Sequence, residues 1–245
     1  MARTDDALKR EQYVRGVKTE VAIARTRAEV ASLSAELVQG GFAGWGGGNV
    51  SSRVAGADLF VIKPPAGEHD DLAPENAIVC DHDGAAVAGT PGSERLPASD
   101  VAVHGRIYRD FAEVGGIVRR QSPHTLVHAA TGDGIPCLLV AMAERFGGGI
   151  PAVTAPLDDA DAVAAAVTEA LAGSASAVLV AGDGAYVTGA TAREAVESAR
   201  LLEQMACVAV LAPAAKSPAS LPSSTVEALH DAFRERITQS TDGRR

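Results

Sequence analysis

An α/β domain with a mixed, largely antiparallel sheet is what this sequence predicts, and three observations lead there. Short apolar runs, each stopped by Gly, Pro or Asp, are interspersed with longer segments of helical periodicity. Their order is helices, then mostly hairpin-like strands, then helices again. There is no strict strand–helix alternation and no repeat, so a mixed sheet with helices on its faces is favoured over its main competitor, a doubly wound parallel sheet. Finally, 245 residues, 47% of them hydrophobic and 22% charged, suit one sizeable soluble globular domain. Aromatics make up only 4%, so the core is built mostly from small and aliphatic side chains.

Residues 1–26 are charged and weakly helical. Residues 26–39 form a clearer helix, with Val30, Leu33 and Leu37 on one face and a Gly-Gly stop. A Gly-rich stretch leads into a first strand near 49–53, LFVIKP (59–64) is a second and AIVCDHDG (77–84) a third, the last ending in an Asp-x-Asp-Gly turn. Residues 90–98 read as a loop, and Ser99 as the N-cap of a helix that presents Val103, His104, Ile107, Tyr108 and Phe111. VGGIVRRQ is the next strand, and Ser122-Pro123 carries cap and first-turn chemistry for another helix. CLLVAM (137–142) and PAVTA (151–155) are strand candidates, and 158–172 an Ala-rich helix. Residues 176–182 and 185–189 flank a Gly-Asp-Gly turn as a hairpin. Thr191 and Glu194 make a capping box for a long helix to about 211. A Pro/Ser linker follows at 216–224, then a last helix at 225–237.

The net charge of −9, from 22 basic and 31 acidic residues, excludes general attraction to nucleic acid or an anionic membrane. No apolar run reaches membrane-spanning length and the first residues hold no apolar signal core, so a cytoplasmic location is expected. Cys80, Cys137 and Cys207 lie far apart in apolar runs and read as free, buried thiols.

GWGGGNVSS (44–52) invites a phosphate-loop reading but matches neither glycine template. Asn49 and Ser51 stand where G-x-G-x-x-G needs Gly, and no G-K-[ST] follows. The Gly residues, Gly48 among them, with Asn49, Ser51 and Ser52 can still line an anion with backbone N–H groups; a tight turn is the equal alternative. His124 and His128, four apart, form a possible metal pair, against which stands a packed His128 and a His124 lining a cleft. Asp100 and His104 share the same spacing at a helix start, either as a site pair or as helix-start charge beside a satisfied core histidine. In GGIVRRQSPH (115–124), strand alternation sends Ile117, Arg119 and Gln121 one way and Val118 and Arg120 the other. Arg119 and Gln121 therefore arrive together at a strand end, where sites tend to be built. A solvated strand end is the alternative.

Taken in order, GNVSSR (48–53), FVIKP (60–64), DLAPENAIVCDHDG (71–84), ASD with HGRIYRDF (98–111), GGIVRRQSPH, FGGGIP (146–151), VLVAGDGAYVTG and AREAVESARLLE (178–203) resemble the class II aldolase/adducin family. The resemblance runs from about residue 28 to 211 and implies a three-layer α/β/α fold over 28–215. Residues 1–27 would then be an N-terminal helical extension, and 216–245 a linker and C-terminal helix. It also implies a cyclic homotetramer with sites between subunits, a small-molecule substrate, and a divalent metal, usually zinc, that stabilises an enediolate while an acidic residue handles protons.

Several positions depart from that pattern. The two metal-holding histidines of the strand are Arg119 and Gln121 here, a third is Asp183, and a fourth falls near Met142. The family's Lys-Pro-Ser-Gly segment becomes Lys63-Pro64-Pro65-Ala66, and the Ser-Ser before the acid becomes Ala98-Ser99. The acid survives as Asp100, and Asn49 and Ser99 remain. No zinc and no other cofactor is expected, because Arg119 would put a fixed charge in the metal's cavity. The expected partners of its guanidinium are Asp183 and Glu144. The expected catalytic groups are Arg119, as oxyanion stabiliser, and Asp100, as acid/base. Gly48, Asn49, Lys63, Ser99, Gln121, His124, Glu144 and Asp183 are expected around the substrate. The activity would be a lyase, dehydratase or isomerase reaction in a specialised pathway. The competing expectation is a catalytically silent relative that serves as a scaffold or partner subunit.

Overall fold

The computed structural model describes residues 2–39, 48–64, 72–90, 93, 97–173, 175–215 and 218–242. Seven strands form one sheet: β1 (Asn49–Arg53), β2 (Leu59–Ile62), β3 (Ile78–Asp81), β4 (Gly116–Arg120), β5 (Ala152–Val153), β6 (Ala177–Val180) and β7 (Gly184–Gly189). Their spatial order is β3-β2-β1-β4-β7-β6-β5. Every neighbouring pair is antiparallel except β5 with β6. The mixed, largely antiparallel sheet is therefore as the sequence predicts.

The helices are α1 (Ala2–Gln39), α2 (Val101–Asp110), α3 (Pro123–Thr131), α4 (Val140–Phe146), α5 (Ala160–Ala172), α6 (Ala192–Ala215) and α7 (Ser223–Asp242). They sort onto the two faces by strand alternation. Val118, Leu179, Ala185 and Val187 join a cluster with residues of α1, α3, α4, α6 and α7. Ile117, Val178, Val180 and Tyr186 join the opposite cluster, with α2 and α5. Three layers result, and a side chain's parity along a strand decides which helices it meets.

Four expectations change. The charged N-terminal residues and the 26–39 segment are one continuous helix, α1. The CLLVAM run gives no strand: Val140 onward is helical, since a short apolar run cannot by periodicity alone be told from a buried helix. α6 passes the expected end at 211 and α7 the expected end at 237. Cys207 is half-exposed, whereas Cys80 and Cys137 are buried. The Gly-Gly stop of α1, the glycines before Gly48, and Pro65 and Ala66 lie outside the described residues.

Two glycines let the sheet close around β4. A Cβ on Gly48 would sit 2.0 Å from the Arg119 carbonyl oxygen, and one on Gly184 would sit 2.3 Å from that of Arg120. Both neighbours of β4 thus approach its last residues more closely than any side chain permits. This brings β1 and the β6–β7 turn against the strand end that carries Arg119.

Candidate functional site

Four elements converge where β4 ends. In register, Asn49 of β1 pairs with Arg119, and Arg119 pairs with Tyr186 of β7. The β6–β7 turn places Gly182 at φ +79, a left-handed conformation that glycine adopts without steric cost, and presents Asp183. α2 starts beside them with Asp100, not the expected Ser99, as its N-cap. Ser99 is exposed one residue earlier.

Arg119 donates through Nε to Asp183 Oδ2 at 3.2 Å and through Nη2 to Asp183 Oδ1. Its Nε also lies 3.7 Å from Asp100 Oδ2, so one guanidinium stands between two carboxylates. Gln121 reaches the same turn, donating through Nε2 to the Asp183 carbonyl at 3.1 Å. Arg119 and Gln121 come together as strand alternation suggests, and Asp183 joins them as the family resemblance implies. Arg119 is 17% and Asp183 19% exposed, so the pair is mostly withdrawn from water but reachable.

Asp100 is 6% exposed, yet its carboxylate does not cap its own helix. It accepts instead from Asn49 Nδ2, at 2.7 and 2.9 Å on its two oxygens, and sits 3.2 Å from His104 Nε2. Burial alone would raise its pKa. The His104 ring, by its charge whenever it is protonated and by its hydrogen bond, together with the Arg119 charge and the Asn49 amide, outweighs burial and holds it at about 2. Burial likewise opposes the Arg119 charge, but Asp183 and Asp100 overcome it and raise that pKa. Tyr186 is pushed well above its ordinary value by burial and then by Asp100.

Behind Asp100 the polar chain continues inward. His104 Nδ1 lies 2.7 Å from Ser51 Oγ, which lies 2.8 Å from the Tyr108 hydroxyl. His104 and Ser51 are 0% and Tyr108 1% exposed. Ser51 and Ser52 therefore line no anion site: Ser51 serves this chain, and Ser52 donates to Glu29 at 3.0 Å. Asn49 commits its amide N–H groups to Asp100, and among the described residues its buried Oδ1 has no partner. Lys63 is half-buried one residue past β2, at the Asn49 end of the sheet, with its backbone N–H on the Val50 carbonyl.

Glu144 is not a partner of Arg119. It sits on α4, on the opposite side of the sheet, and accepts from Arg236 Nη2 of α7 at 2.6 Å. Met142, at the fourth former ligand position, is 1% exposed in the core.

A second buried polar cluster, absent from the sequence reading, lies across the sheet. Arg120 points away from Arg119, is 1% exposed, and donates through Nε to Ser122 Oγ at 2.9 Å. Burial lowers its pKa to about 10, while Glu203 works the other way. Glu203 of α6 accepts from the Ser122 hydroxyl, from the Thr125 hydroxyl at 2.7 Å, and from the backbone N–H groups of His124 and Thr125 at 3.0 and 3.1 Å. A carboxylate from α6 thus caps α3, in place of Ser122, whose own side chain makes no capping bond. His124, 37% exposed, closes the group with Nδ1 2.9 Å from Glu203 Oε1. His128 is half-buried, not a packed core residue. Only side-chain parity hinted that Arg120 faced inward; nothing local to it announced Glu203, 81 residues from Ser122.

Among the described residues no group of three or more His, Cys, Asp or Glu side chains has the arrangement to hold a metal ion. Nor is any helix among them long and apolar enough to cross a membrane.

The fold has close structural neighbours. An L-fuculose 1-phosphate aldolase superposes with a TM-score of 0.78 at 23% identity, covering 86% of this chain and 96% of its own. YgbL of Klebsiella pneumoniae gives 0.73 at 23% identity, covering 84% and 98%. The L-fuculose-1-phosphate aldolase of Thermus thermophilus gives 0.66 at 20%, covering 80% and 99%. At these identities the likeness speaks for the fold. The sequence profile described as Class II Aldolase and Adducin N-terminal domain matches residues 28–210, three-quarters of the molecule, and the chain belongs to that family.

Proposed function

We propose that this protein is a small-molecule lyase or isomerase of the class II aldolase family, with aldolase, dehydratase or epimerase type chemistry on a carbonyl or carboxylate compound. In this reading Arg119 stabilises the developing oxyanion and Asp100 moves the proton. The observation that carries the proposal is the pairing of a partly reachable guanidinium with a pinned carboxylate 3.7 Å away, on one face of one strand end.

The family implies a divalent metal at this place, and the side chains here do not fit one. A guanidinium is always charged, and it fills the space between Asp100 and Asp183 that a cation would need. The same guanidinium supplies directed donors: it has five N–H groups, of which two go to Asp183. Preorganised donors of this kind contribute about 3–4 kcal/mol to a charged transition state. A substrate oxygen that draws Arg119 toward itself would also relieve part of the charge that depresses Asp100. Its carboxylate would then become a stronger base when substrate is present. Asn49 Oδ1, buried and lacking a partner among the described residues, supports a substrate that brings a hydroxyl donor.

A second reading has its own observation. Asp183 holds Arg119 through two nitrogens, as an ion-pair plug in an obsolete site would, and the protein would then be a scaffold or partner subunit.

The two readings separate on the Arg119→Gln variant. For the enzyme, a panel of hydroxy acids, keto acids and sugars yields at least one compound that the wild type turns over and that raises its melting temperature. Arg119→Gln removes both effects while elemental analysis finds no stoichiometric metal in either protein. Undiminished turnover by the variant, or a bound ion beside residues 119, 121 and 183, would overturn the proposal. A panel with neither turnover nor thermal shift would leave the plugged scaffold.

A further inference from the structure

The polar chain behind Asp100 has a direction, and that direction fixes a proton. Tyr108 is buried, and among the described residues its hydroxyl has one hydrogen-bonding neighbour, Ser51 Oγ, at 2.8 Å. A buried O–H with no acceptor is costly, so Tyr108 donates and the Ser51 oxygen accepts. Ser51 then has its own proton to give, and the atom before it is His104 Nδ1, at 2.7 Å. A nitrogen that accepts this bond carries no hydrogen, so the ring's hydrogen is on Nε2. That nitrogen faces Asp100 Oδ2 at 3.2 Å.

The reverse polarity fails at both ends. If Nδ1 carried the hydrogen and donated to Ser51, three protons would share two contacts, and either the Tyr108 or the Ser51 proton would be stranded in the core. If Nδ1 held the only ring hydrogen, Nε2 would turn a lone pair to a carboxylate. The surroundings tie the ring in place: it meets the Tyr186 ring edge-on, with centroids 6.0 Å apart.

We infer that His104 is a positioning residue for Asp100, held by the Tyr108–Ser51 pair as the tautomer with its hydrogen on Nε2. The imidazole takes up one lone pair of Oδ2, and Asn49 Nδ2 binds both carboxylate oxygens from β1. The carboxylate plane is thereby fixed, and the oxygen with capacity left over is Oδ1, which among the described residues accepts only from Asn49. The chain ends at a buried tyrosine, so it sets orientation and does not carry protons to solvent. This assignment rests on the reading of Asp100 as the acid/base group, but its proton placement can be tested without any substrate.

The test is the imidazole ¹⁵N spectrum of His104 in the full-length protein, with His104→Gln used to assign its signals. In the wild type at neutral pH, Nδ1 is expected at the unprotonated type of shift and Nε2 at the protonated type. Tyr108→Phe removes only the hydroxyl. It frees Ser51 to accept, and the Nδ1 signal should move toward the protonated type while the melting transition stays cooperative. Ser51→Ala should move it further, and Ser51→Thr, which restores a hydroxyl, should bring it back. A protonated-type Nδ1 in the wild type, or one indifferent to Tyr108→Phe, would overturn the inference. If the ¹⁵N results hold and no panel compound binds, the proton assignment stands and the catalytic reading of Asp100 fails. If turnover exists and Tyr108→Phe lowers kcat without raising KM, both stand.

Discussion

At the scale of single residues, the site is a problem of charge. Two carboxylates, Asp100 and Asp183, share one guanidinium in a place with little water. Taking charges out of water is unfavourable, and Arg119, Asn49 and His104 offset that cost for Asp100. The consequence appears in acid. Asp100 titrates at about 2 in the folded protein, against about 3.9 for an unfolded aspartate. Because the folded value is the lower one, Asp100 contributes stability that is fully present above pH ~4 and is lost as pH falls toward 2. Nearly two units correspond to about 2–3 kcal/mol. Glu203 is lowered too, by its hydrogen bonds against burial, and acts with the same sign. Urea unfolding between pH 5 and 2 should show this slope in the wild type and a shallower one in Asp100→Asn. Equal slopes would mean that Asp100 is not held as described. Strand parity, a local rule, brought Arg119 and Gln121 together, whereas Asp183 and the acid role of Asp100 came from the family resemblance. Glu144 had no local rule behind its expected place beside Arg119, and it lies across the sheet on α4, bonded to Arg236.

At the scale of elements, the second buried cluster shows how a helix start is made without a local cap. α3 begins with Ser-Pro, which promises a serine cap, but Ser122 gives its hydroxyl to Glu203 and receives Arg120 Nε. Glu203 then satisfies two backbone donors of the first turn as well as the Thr125 hydroxyl. This anchors α3 to α6 through one carboxylate, near the same β4 end that carries Arg119 on its other face. Glu203→Ala leaves those donors without their acceptor and removes the carboxylate whose charge favours the buried Arg120, and it should destabilise the protein by about 2–4 kcal/mol. Glu203→Gln, which keeps one acceptor oxygen, should cost less. Chemical denaturation measures the difference. Amide exchange at His124 and Thr125 should rise in the alanine variant before exchange in β4 does. A loss below about 0.5 kcal/mol would show that water replaces Glu203 readily. Parity and Ser-Pro hinted at Arg120 and at the helix start, but Glu203 was not legible, because the pairing closes over a long stretch of chain and no local pattern in α6 distinguishes it from the surface glutamates.

At the scale of the whole molecule, the two faces of the sheet divide the labour. The α2 side holds the candidate site, and the other face holds the larger apolar cluster, with α7 outermost. α7 lies beyond the stretch matched by the family profile, yet it is docked. Val226 is buried, Leu221 N–H bonds the Cys137 carbonyl at 2.9 Å, and His230 Nδ1 meets the Glu144 carbonyl at 2.8 Å. Its contacts run to α4, with the sheet between it and Arg119. Val226→Asp tests how far this layering insulates the site. A charge cannot stay at that position without costing several kcal/mol, so α7 is expected to undock once its docking energy is the smaller quantity. Hydrogen exchange should then show α7 amides losing protection while β4 and β7 keep theirs, and the His104 ¹⁵N signals should remain as in the wild type. Loss of protection in β4 together with α7 would show instead that the last helix belongs to the same cooperative unit as the site strand. In that case the C-terminal segment would set the stability of the Arg119–Asp100 geometry directly.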